Sequence, residues 1–260
     1  MFVIFVSKDN ILRFNLTILA FLLFGLASYS QETIFEEKTT VYVDEQSGGF
    51  NLHTNGFSLN YRYSKYNGAF NKIAYEIEFA TLKHPKEIKT ISPFEDDVKG
   101  YVFGKMNTFF TFRPSVGFHN IFVPKQSLRG VSITYLYHIG PSLGLAKPIY
   151  LNIREREQSN LNSVNIALRK YNPEIHQQGD IYGRASFFNG VGEMKFYPGI
   201  FSKFGLEFEY STEKEIIHAI EVGLMADYFF EEIPILAFAE NRSLFLNLYV
   251  GVLFGQRKTK

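Results

Sequence analysis

Apolar and polar side chains alternate residue by residue through much of this chain, and that period of two constrains the fold more than any other feature. Successive side chains of a strand point to opposite faces, so the alternation specifies strands with one greasy and one polar face. Residues 73–79 set Ile73, Tyr75, Ile77 and Phe79 against Ala74, Glu76 and Glu78. Residues 131–139 set Val131, Ile133, Tyr135, Tyr137 and Ile139 against Ser132, Thr134, Leu136 and His138. Leu206, Phe208 and Tyr210 oppose Glu207 and Glu209. The longest run sets Ile216, Ile220, Val222, Leu224, Ala226 and Tyr228 against Ala219, Glu221, Gly223 and Asp227, with His218 breaking the apolar face. Weaker segments lie at 57–63, 101–113, 193–197 and 244–254.

Asn67-Gly68 is the dipeptide of a tight hairpin, and Pro198-Gly199 and Ser211 to Glu215 read as two further turns. Longer links are expected at 82–99, 114–129, 153–183 and 229–243, the third with a short helix around Val164 to Lys170. No repeat or linker divides the chain, so a single domain is expected.

Alternation leaves open which face is wet. A soluble lipocalin-like barrel buries its apolar face, whereas a membrane barrel turns it to lipid and keeps polar groups in the lumen. Segments of about 9–13 residues match tilted membrane-crossing strands. Phe and Tyr gather near the segment ends, as interfacial girdles do. Leu244 to Phe254 then forms a closing amphipathic strand before a polar tail. The expected fold is therefore all-β: an antiparallel transmembrane β-barrel over 49–255. It has about eight strands, or ten if 39–44 joins the sheet or 143–152 stands alone.

Residues 1–30 read as a secretory signal peptide. Lys8 and Arg13 precede the apolar stretch Leu16 to Leu26, and Ser28 and Ser30 are small residues placed for cleavage before Gln31. Removing Lys8, Arg13 and Asp9 takes the 27 basic and 26 acidic residues to 25 of each. Residues 31–48 are expected to form a periplasmic N-terminal segment and 256–260 a polar C-terminal tail. Cysteine is absent, which excludes disulfides and thiolate chemistry. A mean hydropathy of −0.07 is too polar for a bundle of membrane helices, and a pI of 7.8 argues against nucleic acid as a partner.

With lipid outside, the polar faces send Glu76, Glu78, Glu193, Glu207, Glu209, Glu221 and Asp227 inward, together with Arg62, Lys105, Arg113, Lys195 and Lys203. The interior of an eight-stranded barrel is filled by side chains. A lone buried charge is costly, so these groups are expected to pair across the lumen as a plug. Glu207, Glu209 and Lys203 share one inward phase, with Arg62 or Arg113 as partners across the barrel.

Four short strings stand out: His53-Thr54-Asn55-Gly56, His84-Pro85-Lys86-Glu87, Gly140-Pro141-Ser142-Leu143-Gly144 and Lys195-Phe196-Tyr197-Pro198-Gly199. Together they resemble those of a mostly uncharacterised family of outer-membrane β-barrel proteins from Bacteroidota. The terminal strand agrees in character, although it lacks a final aromatic residue. The resemblance implies an integral outer-membrane location and a barrel fold, and it carries no catalytic residues.

Catalytic constellations are hard to find. Histidines 53, 84, 119, 138, 176 and 218 stand singly, without the spacing that puts two ligands on one helix face. There is no phosphate-cradling Gly-rich loop and no nucleophile-elbow serine. Ser142 shares a strand phase with His138, but a serine beside Gly and Pro reads first as part of a strand bend. His53-Thr54-Asn55-Gly56 reads as a bulge that shifts the phase between Phe50-Leu52 and Phe57-Tyr63, ahead of a polar-ligand loop. Glu231-Glu232 and Asp96-Asp97 read as solvated loop carboxylates rather than a cation site. No catalytic residue, metal or cofactor is expected. The expected role is structural or interactive, as in an accessory subunit of a larger envelope complex. Its partners would be outer-membrane lipid, other outer-membrane proteins, and the barrel-assembly machinery during biogenesis. A narrow pore or transporter for small solutes is the alternative, and a lipid-modifying enzyme the third.

Overall fold

The computed structural model describes residues 42–91, 100–127, 129–156 and 164–259. The leader expected over 1–30, the segment up to residue 41 and the pair Asp96-Asp97 lie outside them. Among these described residues are thirteen strands, in chain order β1 (Tyr42–His53), β2 (Gly56–Tyr66), β3 (Asn71–Leu82), β4 (Lys89–Thr90), β5 (Tyr101–Val102), β6 (Asn107–Val123) and β7 (Ser132–Pro148), followed by β8 (Tyr150–Arg156), β9 (Val164–Lys170), β10 (Ile181–Arg184), β11 (Lys195–Glu209), β12 (Ile216–Ile233) and β13 (Arg242–Thr259). Eight of them close an antiparallel barrel in the order β1-β13-β12-β11-β7-β6-β3-β2. The closing seam runs from Tyr42↔Thr259 to His53↔Tyr249, so the barrel itself has no edge to pair with another chain.

The barrel is inside out relative to a soluble protein. Buried polar and charged residues (28) outnumber buried apolar ones (24) among the described residues. Leu59, Ile77, Ile139, Phe204, Leu224 and Leu248 stand outward and exposed around the wall. Phe122, Tyr135 and Tyr210 stand outward near the inner strand ends, and Phe57, Phe79, Tyr228 and Phe230 toward the outer ones. Such a band with aromatic girdles is the lipid-facing surface of an outer-membrane barrel.

Short connections at 67–70, 124–131 and 210–215 share one end of the barrel with Tyr42 and Thr259. Long connections gather at the opposite end, which is the extracellular side by the usual asymmetry of such barrels. There β8, β9 and β10 form a three-stranded sheet and β4 pairs with β5. Tyr101, Leu151, Ile153, Tyr171 and Ile181 give this external layer its own small apolar core.

Several expectations change. The barrel begins at Tyr42 and ends at Thr259 rather than spanning 49–255, because Gln46↔Gln256, Glu45↔Arg257 and Asp44↔Lys258 extend the seam into the supposed tail. Pro198-Gly199 is not a turn but lies within β11. Pro198 precedes the first β11–β12 pair, Gly199↔Phe229, so its missing N–H costs no ladder bond on that flank. The link expected at 114–129 is mostly strand, with β6 running on to Val123. Val164 to Lys170 is a strand, consistent with Val164, Ile166 and Leu168 alternating with Asn165, Ala167 and Arg169. His53 to Gly56 is a hairpin turn and not a bulge. Pairs such as Phe50↔Leu59 join residues of opposite parity, which is why the phase changes there.

The β6–β7 register passes from Phe112↔Leu143 directly to Val116↔Ile139. Pro114 and Pro141 occupy the gap, and neither can donate a hydrogen bond. A Cβ on Gly140 would lie 2.1 Å from the Pro114 carbonyl oxygen. Gly140→Ala is therefore expected to cost about 1–3 kcal/mol by overpacking. Gly68→Ala, with nothing within 4 Å of the new carbon, should stay within about 0.5 kcal/mol. Urea unfolding in lipid vesicles compares the two, and equal midpoints would remove the packing argument.

Candidate functional site

The inward faces of the eight strands fill the lumen in three tiers, two charged and one apolar. At mid-height, Arg62 of β2 reaches carboxylates from three other strands. Its Nε donates to Glu76 Oε2 at 2.7 Å, Nη1 to Glu207 Oε2 at 2.9 Å and Nη2 to Glu221 Oε2 at 2.7 Å. Lys203 of β11 lies 2.9 Å from both Glu76 Oε1 and Glu221 Oε1. Arg113 of β6 holds Asp227 through two bonds, at 2.8 and 2.7 Å, and also pairs with Glu78. The side chains of Arg113, Lys203, Glu76, Glu78, Glu221 and Asp227 have no exposed surface.

Three cations here face five carboxylates, and neutral donors supply the remaining hydrogen bonds. Tyr249 Oη donates to Glu221 at 2.6 Å, Asn60 Nδ2 to Glu76 at 3.2 Å and Ser142 Oγ to Asp227 at 3.2 Å. Arg113 also stacks 4.8 Å from the centre of the Phe201 ring. The plug is thus a continuous network rather than a set of separate pairs, which is what buried charge requires.

The inner tier closes the periplasmic mouth. Lys72 lies 2.7 Å from Glu45, Arg257 bonds both Glu45 and Glu209, and Lys125 lies 2.9 Å from Glu209. The outer tier is apolar. Phe109 stacks on Phe245 and Phe229 packs edge-on against both, with the Phe109 and Phe229 rings 5.1 Å apart. Ile235 and Leu236, from the 234–241 connection, complete this cluster. Asn241 fastens that connection, accepting from the Ile235 N–H at 2.9 Å and the Leu236 N–H at 3.3 Å while donating to the Leu236 carbonyl at 3.2 Å.

Of the twelve charges expected inside, the structure gathers Arg62, Glu76, Glu78, Arg113, Lys203, Glu207, Glu209, Glu221 and Asp227 in the lumen. Three are elsewhere. Lys105 follows a turn at Gly104, where φ is +78°, and lies outside the barrel, 2.5 Å from Glu87. Glu193 ends a short 3₁₀ turn that opens after Gly190 (φ +84°), and it bonds Lys170 at 2.7 Å at the surface. Lys195 is the first residue of β11, at the exposed outer rim. All three precede the point where their strand enters the enclosed space, so alternation there no longer encodes burial.

Arg62 does meet Glu207 across the barrel, whereas Glu209 is held by Lys125 and Arg257. The remaining candidates are built into turns and strands. Thr54 Oγ1 donates to Asn247 Oδ1 at 3.2 Å beneath the β1–β2 turn. In the 84–87 string, the His84 N–H donates to Glu87 and the Lys86 N–H donates to His84 Nδ1. Ser142 is spent on Asp227, and His138 meets another histidine instead. That contact, His119 Nε2 to His138 Nε2 at 2.8 Å, crosses from β6 to β7 and so leaves no local spacing signal in the sequence. Glu231 and Glu232 are exposed at the outer end of β12. Among the described residues no group of three or more acidic, histidine or cysteine side chains is placed to hold a metal ion.

The sequence matches no protein-family model and no curated protein. Among solved structures the chain is similar to Neisserial surface protein A (NspA), at 8% identity over 83% of this chain and 96% of that one, with a TM-score of 0.37. It is also similar to the N-terminal β-barrel domain of Pseudomonas aeruginosa OprF, at 9% identity over 82% and 96%, with a TM-score of 0.37. A third similarity is to Ail, the attachment invasion locus protein of Yersinia pestis, at 8% identity over 84% and 100%, with a TM-score of 0.39. A closed eight-stranded meander, apolar toward lipid and charged within, makes this chain an integral outer-membrane β-barrel protein.

Proposed function

We propose that this protein is a structural or interaction component of the outer membrane, with the barrel as its anchor and the extracellular layer as its working surface. The observation that supports this best is the lumen, where a fully buried ion network sits beneath an apolar plug. Ions would have to break several charge-assisted bonds and part three aromatic rings to pass. Barrels that conduct keep an open aqueous path instead. Ser142 faces inward onto Asp227, away from lipid, which favours a non-enzymatic role. A Bacteroidota source rests on the four sequence strings alone.

The competing reading is a narrow pore whose charges set selectivity. Purified protein in planar bilayers is expected to leave the baseline conductance unchanged. Discrete, reproducible ion steps would overturn the structural reading. Affinity isolation from native membranes then identifies the envelope partners that an accessory subunit requires.

A further inference from the structure

Outside the barrel's outer mouth, the extracellular layer and the outer ends of β6 and β7 line an open cavity of about 360 Å³, in the lower range of small-molecule sites. Five cations line it, brought together from separate connections and strands: Lys83, Lys89, Lys105, Lys147 and Arg184. Glu87 is the one carboxylate among the described lining residues, and it is committed to Lys105 at 2.5 Å. Lys147 is the telling member. It is only 3% exposed, yet among the described residues its Nζ finds no carboxylate; it donates to the Asn189 carbonyl at 3.1 Å and sits 5.0 Å from the centre of the Phe187 ring. Lys83, Lys89 and Arg184 likewise have no ion pair among the described residues. Elsewhere in this molecule, buried cations are matched to carboxylates within 3 Å. Here, among the described residues, four of the five lining cations have no carboxylate partner, the arrangement expected where the balancing anion comes from outside.

The walls narrow the chemistry. Tyr101, Tyr150 and Phe187 give flat apolar faces beside the cations, and Thr108 and Ser186 add hydroxyls. Phe187 also packs edge-on against Phe110 of β6, with centroids 6.1 Å apart, near the lipid-facing wall. We propose that this cavity binds a phosphate monoester carried on a sugar-sized group, its phosphate between Lys147 and Arg184. Such a group reaches this face either as the headgroup of an outer-leaflet glycolipid or as a free sugar phosphate. This site stands whether or not the barrel conducts.

The test is calorimetric titration of the detergent-folded full-length protein with glucose 1-phosphate, using glucose as the neutral control. Binding of the phosphate ester alone, weakened by added salt, is the expected result. Arg184→Gln, at an exposed position, should weaken it about tenfold, and Lys147→Gln by at least as much, as befits lost charge-assisted bonds. Lys65→Gln, on β2 and remote from the cavity, should leave it unchanged. Displacement of glucose 1-phosphate by nanodiscs containing lipid A assigns the source to the glycolipid. Retention in their presence assigns it to the free ester. Equal binding of glucose, no binding at all, or full affinity in both the Arg184 and Lys147 variants would overturn the proposal.

Discussion

Replacing Arg62 with Met should destabilise the barrel by roughly 3–5 kcal/mol, the usual cost of stripping one partner from a buried ion pair. Three carboxylates, from β3, β11 and β12, converge on this one guanidinium. With Met in its place, Glu207 loses its ion-pair partner, and Glu76 and Glu221 keep Lys203 as their one cation among the described residues. The measurement is urea unfolding of protein folded into lipid vesicles, followed by far-UV circular dichroism. Arg169→Met provides the contrast. Its pair with Glu155 lies in the external sheet, with the two side chains 56% and 44% exposed, and such pairs contribute about 0–1 kcal/mol. Adding Glu207→Gln to Arg62→Met should recover part of the loss by removing the stranded charge. Equal midpoints for Arg62→Met and Arg169→Met would mean that water reaches the lumen and the plug is open.

The second large effect is expected on the opposite face of the same strand set. Phe204 stands outward near the middle of β11 and is 54% exposed to what, in the membrane, is lipid. Phe204→Arg should cost about 2–4 kcal/mol, the penalty for a cation near the bilayer midplane. Tyr210→Arg, just past the inner end of the strand, should cost at most about 1 kcal/mol. The depth dependence is the diagnostic part, since a soluble barrel would tolerate arginine at both positions. The same unfolding assay reads both variants, and a flat profile would place the wall in water.

These two experiments probe properties with different origins. The wall was legible in the sequence, because Leu206, Phe208 and Tyr210 alternate with Glu207 and Glu209. The pleat converts that local pattern into two faces without reference to any other strand. Local punctuation was less dependable. Pro198-Gly199 has turn composition, yet it continues β11 because the neighbouring strands accommodate its geometry. Lys105, Glu193 and Lys195 follow the inward parity on paper, but two positive-φ glycines and the barrel rim end the enclosed space before them. The external cavity left no sequence signal at all, since Lys83, Lys147 and Arg184 are separated by long stretches of chain.

By itself, then, the sequence determined the fold class, the lipid-facing side and the supply of opposite charges in the interior. All three follow from the two-residue period, a property of each strand alone. Tertiary structure decided the rest. Arg62 meets Glu207 and Glu221, Arg113 meets Asp227, and His119 meets His138 because the barrel closes with one particular register on every seam. Shifting a single seam by two residues would preserve every inward and outward face while exchanging these partners. Register is a relation between strands, settled only when all eight close at once.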